Sequence, residues 1–264
     1  MHHRSPSARL SALARRLALS GLLAASIHAP AQTVLPAGYS RWQASMDAFA
    51  AADKLRQPQP DGVLFVGSSS IRYWAQMAQD FATTPVVINR GFGGSTMADC
   101  HHFVRQLVLQ YQPRQVMVYA GDNDLAEGRT PAQVLESFQG FVRAVRAELP
   151  HARIGYISIK PSPARAALLP QVRETNALLQ AYVATLTNAD FIDIFAPMLD
   201  AEGQARADLY GPDRLHMNAA GYSLWRSVIG PYVLPAENSG ARMLTAGTGA
   251  APDAVISATA SVKD

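Results

Sequence analysis

Short runs of consecutive apolar residues recur along the chain, and between them the apolar positions spread out to spacings of three and four. The runs are 63–66 (Val-Leu-Phe-Val), 85–89 (Pro-Val-Val-Ile-Asn), 115–119 (Gln-Val-Met-Val-Tyr), 153–159 and 191–194 (Phe-Ile-Asp-Ile). Runs without polar alternation suit strands buried on both faces, as in a parallel sheet covered by helices. Helical spacing appears over 40–57, with Trp42, Met46, Phe49, Ala50 and Leu55 on one face before Pro58 and Pro60 end it. It returns from about Ser70 with Ile71, Trp74, Ala75 and Ala78, and over 96–111. Thr130 and Pro131 open a long helix reaching Leu149. Val172, Leu178, Leu179 and Tyr182 mark another over 170–186, and Asn218 is placed to cap a last one over 219–229. Strands alternating with helices predict an α/β domain with a largely parallel, five-stranded sheet.

Composition adds that this is one domain. Of 264 residues, 48% are hydrophobic and 16% charged, enough for a single core of ~200 residues. The formal charge of +3 dissolves on inspection: Arg4, Arg9, Arg15 and Arg16 precede any acidic residue and leave 19 basic against 20 acidic side chains, so the body carries no nucleic-acid signature. Those arginines lead into an apolar stretch at 17–27 and then Ala29-Pro-Ala31, the small-x-small pattern of a cleavage site. Residues 1–31 therefore read as a Sec-type signal peptide, with a mature chain starting at Gln32 and destined for the periplasm or the outside of the cell. No later segment reaches the ~18–20 apolar residues of a membrane span. Cys100 is the single cysteine and can form no internal disulfide. Residues 32–61 read as a linker and helix, 62–235 as the functional domain, and 236–264, rich in Ala, Gly and Thr, as a disordered tail.

In an open parallel sheet, ligands bind beyond the carboxyl ends of the strands. The unusual polar clusters all fall there: Ser68 to Ser70 after the first run, Gly91 to Ser95 after the second, Gly121 to Asp124 after the third, and Asp213 with His216 after the fifth. Together they hold the parts for acyl transfer, namely a hydroxyl nucleophile, an imidazole base, a carboxylate to orient it, and amide donors for an oxyanion. Asp213 and His216 are three apart, so one helical turn would set them on one face. Phe92 and Met217 adjoin these positions and are candidates to contact substrate, as is Tyr73, whereas Trp74 reads as core. His101 and His102 beside Cys100 point in different directions on a helix and have no second ligand cluster, so no metal site is expected. Gly91-Phe-Gly-Gly94 lacks the spacing of a dinucleotide loop, and Gly67-Ser-Ser-Ser70 lacks the Gly-Lys-Ser/Thr of a phosphate loop.

From about Gly62 to Val233 the sequence resembles the SGNH hydrolases, also called the GDSL lipase/esterase family, through four blocks in order. Gly67-Ser68-Ser69 is similar to the first, with Ser68 where the family has an aspartate and the nucleophile on Ser69. Asn89-Arg-Gly-Phe-Gly-Gly-Ser95 maps an oxyanion glycine onto Gly94, Gly121-Asp-Asn-Asp124 makes Asn123 a side-chain donor, and Asp213-Arg-Leu-His216 supplies acid and base. The resemblance implies a flavodoxin-like three-layer α/β/α sandwich and hydrolysis of carboxylic esters with no metal and no other cofactor. It implies a small-molecule or glycan ester as partner: short acyl, aryl or lipid esters, thioesters or acetylated sugars. Two alternatives stay open: an acyltransferase or deacetylase working on envelope polysaccharide with the same groups, and a catalytically silent binding domain.

Overall fold

The computed structural model describes residues 38–235; the expected signal peptide and C-terminal tail lie outside the described residues. Five strands, β1 (Val63–Gly67), β2 (Val87–Gly91), β3 (Gln115–Tyr119), β4 (Arg153–Ile157) and β5 (Ala189–Ile192), pair in the order β2-β1-β3-β4-β5, all parallel. This is the flavodoxin-like order. The alternation of a pleated strand explains the three layers. Leu64 and Val66 of β1 point into one core with α1 (Gln43–Leu55), α4 (Met97–His102), α5 (Val104–Leu107), α7 (Pro131–Glu148) and α8 (Leu169–Val183). Val63 and Phe65 point into the other, with α2 (Ser69–Arg72), α3 (Met77–Asp80) and α9 (Ala219–Ile229). Every residue of β1 is buried, as an unalternating run predicts.

Where capping chemistry was readable, the elements form as expected. Thr130 and Gln133 close a capping box at the start of α7 with Pro131 in its first turn, and Asn218 accepts the N–H groups of Ala220 and Gly221 at the start of α9. Elsewhere tertiary packing shifts them. β2 starts at Val87, β4 stops at Ile157, and β5 lies two residues earlier than its apolar run. The helix expected from Ser70 breaks into α2 and α3, because Trp74 leaves the helical path to enter the core, where its Nε1–H donates to Asp80 at 2.7 Å. The helix expected over 96–111 divides into α4, α5 and a 3₁₀ turn at Leu109–Tyr111, whose Tyr111 hydroxyl accepts from Arg90 on β2 at 2.8 Å. Leu55, expected on the packed face of α1, is 90% exposed, since it ends the helix just before Arg56 turns the backbone to extended geometry. Among the described residues no helix is long and apolar enough to cross a membrane.

Candidate active site

The site begins where β1 stops. Gly67 has φ +150°, and a Cβ there would lie 1.9 Å from the Tyr119 carbonyl oxygen, so only glycine lets β1 end pressed against β3. Ser68 then donates its N–H to that same carbonyl at 3.1 Å. Ser68 and Ser70 are buried; Ser69, between them, is half-buried. Of the three serines, Ser69 meets the imidazole: its Oγ lies 3.0 Å from His216 Nε2.

His216 is held from behind. Its Nδ1 lies 2.6 Å from Asp213 Oδ2, while Asp213 Oδ1 accepts the backbone N–H groups of Leu215 at 3.0 Å and His216 at 2.9 Å. The pair is therefore made by a turn folded around the carboxylate, with Arg214 at φ +57°, and not by the helical turn expected from the spacing. The Leu215 N–H, with the His216 ring and N–H, holds the Asp213 carboxyl well below the usual carboxylate range. An ionised carboxylate only accepts, so in the neutral imidazole the proton belongs on Nδ1 and the Nε2 lone pair faces Ser69.

Beside Ser69 runs the glycine loop after β2. A Cβ built on Gly93 would lie 3.9 Å from that of Ser69, and Gly94 takes φ +83°. Neither the Ser69 N–H nor the Gly94 N–H has an acceptor among the described residues. Asn123 stands on α6 (Asp122–Ala126), and its Nδ2 donates to Ser95 O at 2.9 Å, which ties it to the glycine loop. The neighbours of Asn123 on α6 point into the protein. Asp124 accepts the Met97 N–H at the start of α4, and burial pushes its carboxyl up to about 6. Asp122 pairs with Lys160 at 2.9 Å and Arg165 at 2.7 Å; burial raises its carboxyl, and the two cations outweigh that and leave it lowered.

Phe92 and Met217 are not at the surface. Phe92 packs edge-on against Trp42 and Phe103 in one core and Met217 lies in the other. Tyr73 is exposed instead, its ring 5.0 Å from that of His216 at 81°, beside a cleft of about 350 Å³ that Trp74, Asp80, Ala219 and Tyr222 also line. His102 stacks on Tyr39, and a Cβ on Gly140 would clash with the ring of His101, so both histidines are packing groups. Sequence reasoning passed over Lys160 and Arg165. Their signal was available: two cations bracket the proline-rich loop that follows β4 at the same sheet edge as the other clusters.

The GDSL-like lipase/acylhydrolase family model matches residues 61–224. No curated protein matches the chain. Among solved structures, the chain is similar to a GDSL-like lipase from Bacteroides thetaiotaomicron, at 22% identity and TM-score 0.62 over 71% of this chain and 96% of that one. It is similar to a protein named an acylhydrolase from Bacteroides fragilis, at 24% identity and TM-score 0.61 over 69% and 92%. An acetyl-xylooligosaccharide esterase from Geobacillus aligns at 15% identity and TM-score 0.55 over 65% and 93%. At these identities the structures share the fold.

Proposed function

Because the chain belongs to the GDSL-like lipase/acylhydrolase family, we propose that it is an exported serine esterase that forms an acyl-enzyme on Ser69. One observation carries the reading: Ser69 Oγ, His216 and Asp213 lie in series at hydrogen-bond distances of 3.0 Å and 2.6 Å. In the first half-reaction His216 Nε2 takes the Ser69 proton as Oγ bonds to the ester carbonyl carbon. Negative charge grows on the carbonyl oxygen, where the Ser69 and Gly94 N–H groups and the Asn123 amide are the donors. The C–O bond then breaks, the alcohol leaves with the proton from His216, and the acyl group stays on Ser69. Water enters, His216 takes its proton, and the tetrahedral adduct collapses to release the carboxylic acid and return the proton to Ser69. Asp213 keeps the imidazole in the tautomer each step needs.

A silent binding domain has no use for a hydroxyl, an imidazole and a carboxylate in hydrogen-bonded series, and the Ser69 and Gly94 N–H groups, which have no acceptor among the described residues, support hydrolysis over it. The esterase named among the structural relatives favours short acyl esters such as acetylated sugars as the substrate class to try first. The test is reaction with a fluorophosphonate followed by peptide mapping, beside hydrolysis of para-nitrophenyl acetate. The label is expected on Ser69 and to be lost in Ser69→Ala; a label on Ser68 or Ser70 overturns the assignment. Intact mass of the exported sample is expected to match a chain starting at Gln32, and recovery only in the cytoplasm with residues 1–31 attached rejects export.

A further inference from the structure

We infer that Arg165 is a positioning residue for the oxyanion site: it fixes which end of the Asn123 amide faces the substrate. This rests on the reading of Asn123 as an oxyanion donor. A side-chain amide has two ends of nearly equal shape, and in an oxyanion site one orientation offers a donor while the other offers a repelling carbonyl oxygen. Something must choose between them. Two partners of single polarity do so here. The Ser95 carbonyl, which can only accept, lies 2.9 Å from Nδ2, and the Arg165 guanidinium, which can only donate, lies 3.0 Å from Oδ1. Turning the amide over would set carbonyl against carbonyl and N–H against N–H. Ser95 engages one of the two Nδ2 hydrogens, which leaves the second for the substrate.

Arg165 is in turn aimed. It sits in a kink of the segment Pro163–Leu168, at φ −120° and ψ 31°, outside helical geometry. Its Nη1 lies 2.7 Å from Asp122 Oδ1, and Asp122 is shared with Lys160, whose side chain is 2% exposed. Asp122 precedes Asn123 on α6, so the carboxylate that anchors the guanidinium and the amide that receives it are adjacent in the chain. A cation bonded to the amide oxygen also draws charge from the amide and makes its N–H groups stronger donors.

A residue acting only through Asn123 cannot matter once Asn123 is gone, and a double-mutant cycle reads that directly. With para-nitrophenyl acetate, Arg165→Met is expected to lower kcat about 10-fold with KM little changed, less than Asn123→Ala does, since part of the amide population keeps its orientation. In the Asn123→Ala background Arg165→Met is expected to leave kcat within about 2-fold, and Arg165→Lys, which keeps one donor, to fall between wild type and Arg165→Met. A lowered melting temperature with normal kcat, effects that multiply in the double variant, or a rise in KM alone each overturn the proposal, the last by placing Arg165 on the substrate. Should Arg165→Met not fold, Arg165→Gln, which keeps a donor toward Asp122, runs the same cycle. If Asn123→Ala itself has normal kcat, the oxyanion reading fails and takes this one with it; if Asn123→Ala is slow and the cycle is additive, only Arg165 is misassigned.

Discussion

The two side-chain groups that the proposed reaction brings to Ser69, one wall around His216 and the other around Asn123, differ in kind. The His216 wall is a surface turn: the side chains of Asp213 and His216 are 52% and 32% exposed, and one carboxylate and two backbone N–H groups hold the arrangement. The Asn123 wall is set into the protein, with Asp122 and Lys160 8% and 2% exposed and four charged or amide side chains joined in one network. The difference follows from what each wall does in the proposed reaction. Protons and water must pass the imidazole in every turnover, so access there is useful. Donors for a developing charge act by being fixed beforehand, and a rigid, poorly hydrated setting strengthens them. Damage to the first wall should therefore cost activity without stability, and damage to the second should cost both.

The hardest test of that contrast is His216→Ala. Loss of the base should lower kcat on para-nitrophenyl acetate by as much as ~10⁶, the scale found when one member of a Ser-His unit is removed. The melting temperature should stay close to wild type, because the ring contacts an exposed Tyr73 and its Asp213 partner stays hydrated. A His216→Ala protein that melts much earlier would make the turn a structural element and break the contrast.

On the other wall, Asp122→Asn leaves Lys160 buried without its counter-ion and should destabilise the fold by about 3–5 kcal/mol at neutral pH. The pH dependence gives this a signature. Asp122 is lowered in the folded protein, so its contribution is fully present above the unfolded value of ~3.9 and is lost as pH falls through the folded one. The gap between wild type and Asp122→Asn in urea melts should hence narrow below pH ~4. A gap that is small at pH 7, or unchanged on acidification, would show that the network adds no stability.

The two walls also differ in how far the sequence disclosed them. Ser69, His216 and Asp213 stand in short motifs, and the expected sheet, β3 and α9 with its Asn218 cap are where local pattern put them. Local pattern stops at contacts made across the chain. Arg165 and Lys160 reach α6 from 42 and 38 residues away, and periodicity carries no trace of such a pairing. Phe92 and Met217 were singled out as neighbours of motif residues, but adjacency in a loop does not fix which way a side chain points, and both turn inward. The Asp213 turn was missed for a similar reason: a left-handed Arg214 is not announced by an arginine. The break after α2 is set by Trp74 finding Asp80 and an aromatic core, which helical spacing alone does not foresee.

Tyr73 gives the smallest and finest test, because it sits on the open wall yet belongs to neither motif. Its ring meets His216 edge to face at 5.0 Å and is 51% exposed, so it shields one side of the imidazole without burying it. Such a contact is worth about 0.5–1.5 kcal/mol, toward the low end when exposed. Tyr73→Ala should thus lower kcat/KM on para-nitrophenyl acetate only ~2- to 10-fold, at an almost unchanged melting temperature. Tyr73→Phe separates shape from chemistry. The hydroxyl has no partner among the described residues, so the ring alone should suffice and Tyr73→Phe should behave as wild type. If Tyr73→Phe were as slow as Tyr73→Ala, the hydroxyl would be touching substrate, and the His216 wall would hold a specific polar contact in addition to the proton path. If Tyr73→Ala instead lost as much activity as His216→Ala, the imidazole would depend on the ring for its place, and the turn around Asp213 would not be what positions it.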